Sequence, residues 1–205
     1  APADTLLPGL LTCPYVLWDA GSNTLTFDFG DGCEDAHGQM HSGSIEISYN
    51  GSLDSSATLS ITFNDYMMDD EALSGSLTLN VTPDSIRFII QDATISSPEG
   101  TFIVNADLTV NVELNNPVVV TDDVFFLLGT FSVVDAEAGA NFALEITDPV
   151  RIQTNCPYPT SGKVDVSGGD SSGTFAATAD FFPENGACDN VVVITIGTAT
   201  RKVQL

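Results

Sequence analysis

Phe102-Ile103-Val104-Asn105-Ala106-Asp107-Leu108-Thr109-Val110-Asn111-Val112-Glu113-Leu114 is the stretch that decides the fold. Its even-numbered positions are apolar throughout, and from Asn105 on most of the odd ones are polar. A period of two places alternate side chains on opposite faces of an extended chain, so this is a strand with one buried and one wet face. The same rhythm recurs outward in both directions. Toward the N-terminus it runs through Leu77, Leu79 and Val81, then Leu59, Ile61 and Phe63, then Ile45, Ile47 and Tyr49, then Leu25, Phe27 and Phe29. Toward the C-terminus it runs through Phe142, Leu144 and Ile146, Val164 and Val166, Phe175 to Phe181, and Val192, Ile194 and Ile196.

Turn formers separate these runs: Asn50-Gly51, Pro83-Asp84, Pro98-Glu99-Gly100, Asn115-Asn116-Pro117, Gly168-Gly169-Asp170 and Asn185-Gly186. Strands of about five to eight residues with such punctuation describe successive antiparallel hairpins. The expected fold class is therefore all-β, either an antiparallel β-sandwich or a strongly curved β-meander, with the sandwich the commoner outcome. Short helical turns would fit only at Tyr66 to Leu73 or Asp135 to Gly139. A single domain over residues 1–205 is expected, with one weak boundary near 154–160, where Cys156 lies between prolines 157 and 159 and the preceding strand. Ser42-Gly43-Ser44-Ile45-Glu46-Ile47-Ser48 is echoed by Ser161-Gly162-Lys163-Val164-Asp165-Val166-Ser167. Asp28-Phe29 followed by Cys33 is echoed by Asp180-Phe181 followed by Cys188.

Cys13, Cys33, Cys156 and Cys188 form an even set without a C-x-x-C pair, which argues against thiolate zinc and for two structural disulfides. Of the three connectivities we expect Cys13–Cys33 and Cys156–Cys188, each closing a local loop that stabilises by roughly 3 kcal/mol. Disulfides place the protein outside the cytosol, secreted or in the outer cell envelope. Ala1, with no initiator Met and no basic leader, fits a mature chain from which a targeting segment has been removed.

Five basic residues stand against 28 acidic ones, a formal charge of −23. Nucleic-acid binding rests on Lys and Arg that displace counterions, and this chain lacks them. No apolar run reaches the roughly 18 residues of a membrane-spanning helix. A protein, a glycan or an apolar ligand are the partners that remain.

Several constellations could carry chemistry. Asp28, Asp31, Glu34 and Asp35 cluster around glycine turns and could supply oxygens to calcium, the one cofactor the sequence raises. The competing reading is turn chemistry, in which Asp28 accepts from the Gly30–Gly32 backbone. Asp65, Asp69, Asp70 and Glu71 lie beside Tyr66, Met67 and Met68 and read as a solvated loop. His37 and His41, near Asp35, have metal-ligand spacing only on a helix, and Gly38 argues for a hairpin instead. Tyr15, Trp18 and Tyr158 could form an aromatic platform. No Gly-x-Ser-x-Gly elbow occurs, and Thr160-Ser161-Gly162-Lys163 lacks the lead of a phosphate loop. No catalytic residue is assigned.

Leu25-Thr26-Phe27-Asp28-Phe29-Gly30-Asp31-Gly32-Cys33, with Ser42-Gly43-Ser44-Ile45 and the later Asn185-Gly186-Ala187-Cys188-Asp189-Asn190, resembles a family of uncharacterised exported bacterial lipoproteins that carry a DFGDGC motif. That resemblance implies an envelope or extracellular location and brings no activity. The expectation is a non-enzymatic binding or surface-interaction domain. The alternatives are a carrier of an apolar ligand or lipid in a curved sheet, and a carbohydrate-active enzyme using two of the carboxylates.

Overall fold

A computed structural model of the chain describes residues 5–6, 13–52, 55–114, 123–181 and 188–205. Among these the chain is strand and turn, with no helix. The strands are β1 (Thr5–Leu6), β2 (Tyr15–Asp19), β3 (Thr24–Glu34), β4 (Met40–Ser52), β5 (Ser56–Met68), β6 (Glu71–Thr82), β7 (Ser85–Ser97), β8 (Gly100–Glu113), β9 (Val124–Asp135), β10 (Asn141–Gln153), β11 (Ser161–Asp170), β12 (Gly173–Asp180), β13 (Val191–Ile196) and β14 (Ala199–Gln204). Their hydrogen-bonded order is the order of the sequence, β1 through β14. This is the antiparallel meander, not the sandwich. Each strand pairs with the one just made, the arrangement that costs least loop-closure entropy.

The chain divides into two compact units. The first comprises Ala1–Pro83 with Ile89–Asn105, the second Asp84–Phe88 with Ala106–Leu205. Residues 154–160 lie inside the second. The turns expected at Asn115-Asn116-Pro117 and Asn185-Gly186 fall outside the described residues.

Two expectations need correction. Tyr66 to Leu73 is not a helical turn, because Tyr66–Met68 end β5 and Glu71 opens β6 across a two-residue turn at Asp69-Asp70. Asp135 to Gly139 is likewise a hairpin end, its turn bound by the Asp135 carboxylate, which accepts from Glu137 N and Ala138 N. Strands are also longer than expected: β3 to β11 run for 10 to 14 residues. The expected turns at Pro83-Asp84 and Pro98-Glu99 do separate strands, and the added length comes from strands that continue through bulges. The β4–β5 register shifts between Ser42 and Ser44, the β5–β6 register between Thr62 and Tyr66, and the β9–β10 register between Ile146 and Val150. An extra residue on one strand bends it and sharpens its twist.

Positive φ marks the same places: Gly43 at 76° and Asp65 at 48°, Gly75 at 102° and Asp92 at 48°, Gly129 at 117°, Gly162 at 116°. At each glycine the neighbouring backbone comes too close for a side chain. A β-carbon would collide with the Asp65 carbonyl at Gly43, sit 2.7 Å from Ala93 Cα at Gly75, collide with the Asp107 carbonyl at Gly129, and sit 2.5 Å from Val150 Cα at Gly162. Glycine on one strand against a bulged partner thus makes a crease, repeated along each unit.

Both disulfides form as expected, Cys13–Cys33 in the first unit and Cys156–Cys188 in the second, each with 5.7 Å between α-carbons. Each begins from the same tripeptide, Cys13-Pro14-Tyr15 and Cys156-Pro157-Tyr158. In each unit a Cys-Pro-Tyr leads into a hairpin whose second strand reaches an Asp-Phe, Asp28-Phe29 within β3 and Asp180-Phe181 at the end of β12, and the closing cysteine, Cys33 or Cys188, follows it in the chain. The echo noted in the sequence is therefore a recurring structural element, a disulfide cap on the creased end of each unit.

An apolar groove and a histidine cluster in the first unit

Register aligns the apolar side chains of the first unit into rows on one face. Trp18, Leu25, Ile47, Ile61 and Leu77 are successive cross-strand partners from β2 to β6, as are Val16, Phe27, Ile45 and Phe63. All of them are half-buried. The opposite face carries Thr26, Glu46, Thr62 and Ser76, and beside them Thr24, Ser48, Ser60 and Thr78. Glu46 is the one charge in those two rows.

At the crease this apolar face is hollow. Phe63 of β5, Leu73 and Leu77 of β6, Ile90 and Ile95 of β7 and Val104 of β8 border a groove of about 190 Å³, with Ala93, Ser74, Ser76 and Thr94 between them. The hollow follows from the backbone: Gly75 and Ala93 approach so closely that neither can carry bulk, and large residues on either side become walls. A hydrocarbon-lined cavity of about 150 Å³ takes a benzene-sized guest, so this groove has room for one ring or a short alkyl segment.

Phe63 joins the groove to a second feature, its ring centroid 5.8 Å from that of Tyr66. Tyr66, which is buried, shares a 2.8 Å hydrogen bond with His41 Nδ1, and His41 Nε2 lies 3.4 Å from Asp35 Oδ2. Phe29 stacks on the imidazole at 5.1 Å. Burial, with the Asp35 charge adding to it, raises the Tyr66 phenol above its ordinary pKa. Asp35 is held below the ordinary carboxylate range, first by the Gln39 backbone N–H and then by His37 N–H and the His41 side chain. Chemically this is an acid–imidazole–phenol chain that can hold a proton, with the phenol oxygen enclosed instead of facing a cleft.

The second unit has a different polar side chain at the matching place. Two residues before the crease glycine Gly43 stands His41; two before Gly162 stands Thr160, 1% exposed, accepting from Arg151 Nη1 at 3.1 Å. Each position holds a largely enclosed polar side chain with hydrogen-bond partners, which a buried polar group needs wherever it occurs.

The remaining candidates are dispersed. Asp28 Oδ1 accepts from Gly30 N at 2.9 Å, the Asx geometry of a tight turn, and Asp35 is committed to its own turn and to His41. Asp31 and Glu34 are exposed. Among the described residues no group of three or more His, Cys, Asp or Glu is placed to hold a metal ion. His37 is exposed in the turn, whereas His41 is largely enclosed and bonded to Tyr66. Asp69, Asp70, Glu71 and Glu99 border an open hollow of about 450 Å³ between the β5–β6 and β7–β8 turns, in which Asp69 Oδ1 accepts from Met40 N. Tyr15 is 68% exposed, while Trp18, three residues on, lies on the other face of β2. The groove itself was missed by sequence reasoning. Its only signal is the pair of small residues, Gly75 and Ala93, inside otherwise bulky strands.

These features define an antiparallel, disulfide-capped β-meander with an apolar groove in its first unit. Comparison with protein-family models, with curated proteins and with solved structures returns no match.

Proposed function

We propose that this chain is a non-enzymatic binding domain of the cell exterior, and that its first unit takes a small apolar group in the groove between Phe63 and Val104. The observation that carries this reading is the groove's lining, nearly all hydrocarbon yet open on one side. An apolar hollow of that kind is where a ligand gains most from leaving water. The charge of −23 favours a neutral or cationic ligand over a fatty carboxylate. Two disulfides agree with an oxidising compartment, as does the resemblance of the DFGDGC stretch to exported lipoproteins. Among the described residues no helix is long and apolar enough to cross a membrane.

Titration with a neutral naphthalene-type fluorophore tests the proposal. Saturable binding is expected for the native chain and a loss for Val104→Phe, whose ring would fill the groove, with thermal melting retained. Absence of saturable binding, or equal binding by Val104→Phe, overturns it.

A further inference from the structure

We propose that Met40 and Met67 form a seat for a soft monovalent metal ion, copper(I) in chemical class, on the outward face of the first unit's capped end. The chain has three methionines and two histidines, and all five fall between His37 and Met68. Folding brings the methionines onto neighbouring strands. His41 is the partner of Met68 and Ser42 the partner of Met67, which sets Met40 opposite Asp69, whose N–H donates to the Met40 carbonyl at 2.7 Å. Met40 and Met67 are then diagonal neighbours on one face, about 7–8 Å apart at the backbone and within reach of long side chains.

That face is the hydroxyl-bearing one. Beyond the crease it carries Ser44, Glu46 and Ser48 from β4 and Thr62 and Ser60 from β5. Two unbranched thioethers interrupt it, 47% and 39% exposed, and apart from Tyr15 they are the exposed large apolar side chains among the described residues of this unit. Met68, by contrast, is half-buried on the other face. An apolar contact surface would be served as well by leucine. Sulfur is what distinguishes methionine, and thioethers select soft ions such as copper(I). No thiolate competes, since all four cysteines are in disulfides and no free cysteine remains. Glu34, the cross-strand partner of Met40, supplies a carboxylate at the rim. The Met40 methyl group lies over Gly32, where an added β-carbon would sit 3.5 Å from it.

The test uses silver(I), the redox-inert analogue, on the full chain with ¹³C-methyl-labelled methionine. Saturation near one equivalent is expected, shifting the Met40 and Met67 methyl signals and leaving Met68 in place. Met40→Leu and Met67→Leu keep the apolar area, and each should weaken binding by roughly tenfold or more; the double variant should abolish it with thermal melting unchanged. Absence of saturable binding overturns the proposal. So does binding that survives in the double variant, since the ion would then sit on other groups.

Discussion

Gly75 of β6 stands against Ala93 of β7 with no room for a β-carbon between them: one would lie 2.7 Å from the Ala93 α-carbon. Its φ of 102° is a conformation that side chains strain to adopt. The crease of the first unit and the hollow of the groove depend on this approach.

Gly75→Ala should therefore destabilise the chain by about 1–3 kcal/mol from backbone strain alone, with the collision adding to it. Urea unfolding followed by tryptophan fluorescence reads the loss through Trp18. An unaltered midpoint would show that the strands do not meet closely there.

Tyr66→Phe keeps the ring contacts with Phe29 and Phe63 and removes the hydroxyl bonded to His41 Nδ1. A loss of about 1 kcal/mol is expected, typical of one partly buried hydrogen bond. The His41 ring signals should shift in NMR, and their staying in place would mean that the bond is not made in solution.

Asp35 gives a pH dependence with a definite sign. Its folded pKa is depressed, chiefly by the Gln39 N–H, so its stabilisation is present above the unfolded carboxylate value of about 3.9 and is lost as pH falls through the folded value. Asp35→Asn should lower stability at neutral pH, where the native carboxylate contributes, and flatten that part of the acid-unfolding curve, so that the two chains converge in acid. An acid limb identical to the native one would refute the assignment.

The disulfides should act as clamps on the capped ends. They close separations of 20 and 32 residues, and removing either pair should cost about 3 kcal/mol. In hydrogen exchange, reduction should open β2–β3 and β11–β12 before β5, whose cross-strand partners on both sides need no covalent help. Uniform opening would place the disulfides within one cooperative unit instead.

Much of this was legible in the residues. Leu59, Ile61 and Phe63 declared a strand with one apolar face, and cysteines in two local pairs declared their bonds. Asp28 declared the turn that its carboxylate does bind. Cys-Pro-Tyr occurs twice in plain view and marks the two caps, a repeat easily overlooked because the intervening strands differ in length. His41 was visible as half of a histidine pair with Asp35 nearby, six positions away across the β3–β4 turn. Its other partner, Tyr66 on β5, is 25 positions away and meets it through register.

The sequence by itself determined the strands, their faces, the disulfides and the acidity, because alternation, turn chemistry and cysteine spacing are local or nearly so. Whether Gly43, Asn64-Asp65 or Gly75 ends a strand or bends it was decided by tertiary structure alone. A residue at positive φ looks the same in a turn and in a bulge, and only the strand lying alongside distinguishes them. Where such a strand is present the chain continues through the crease, and the small residues meeting there open the groove.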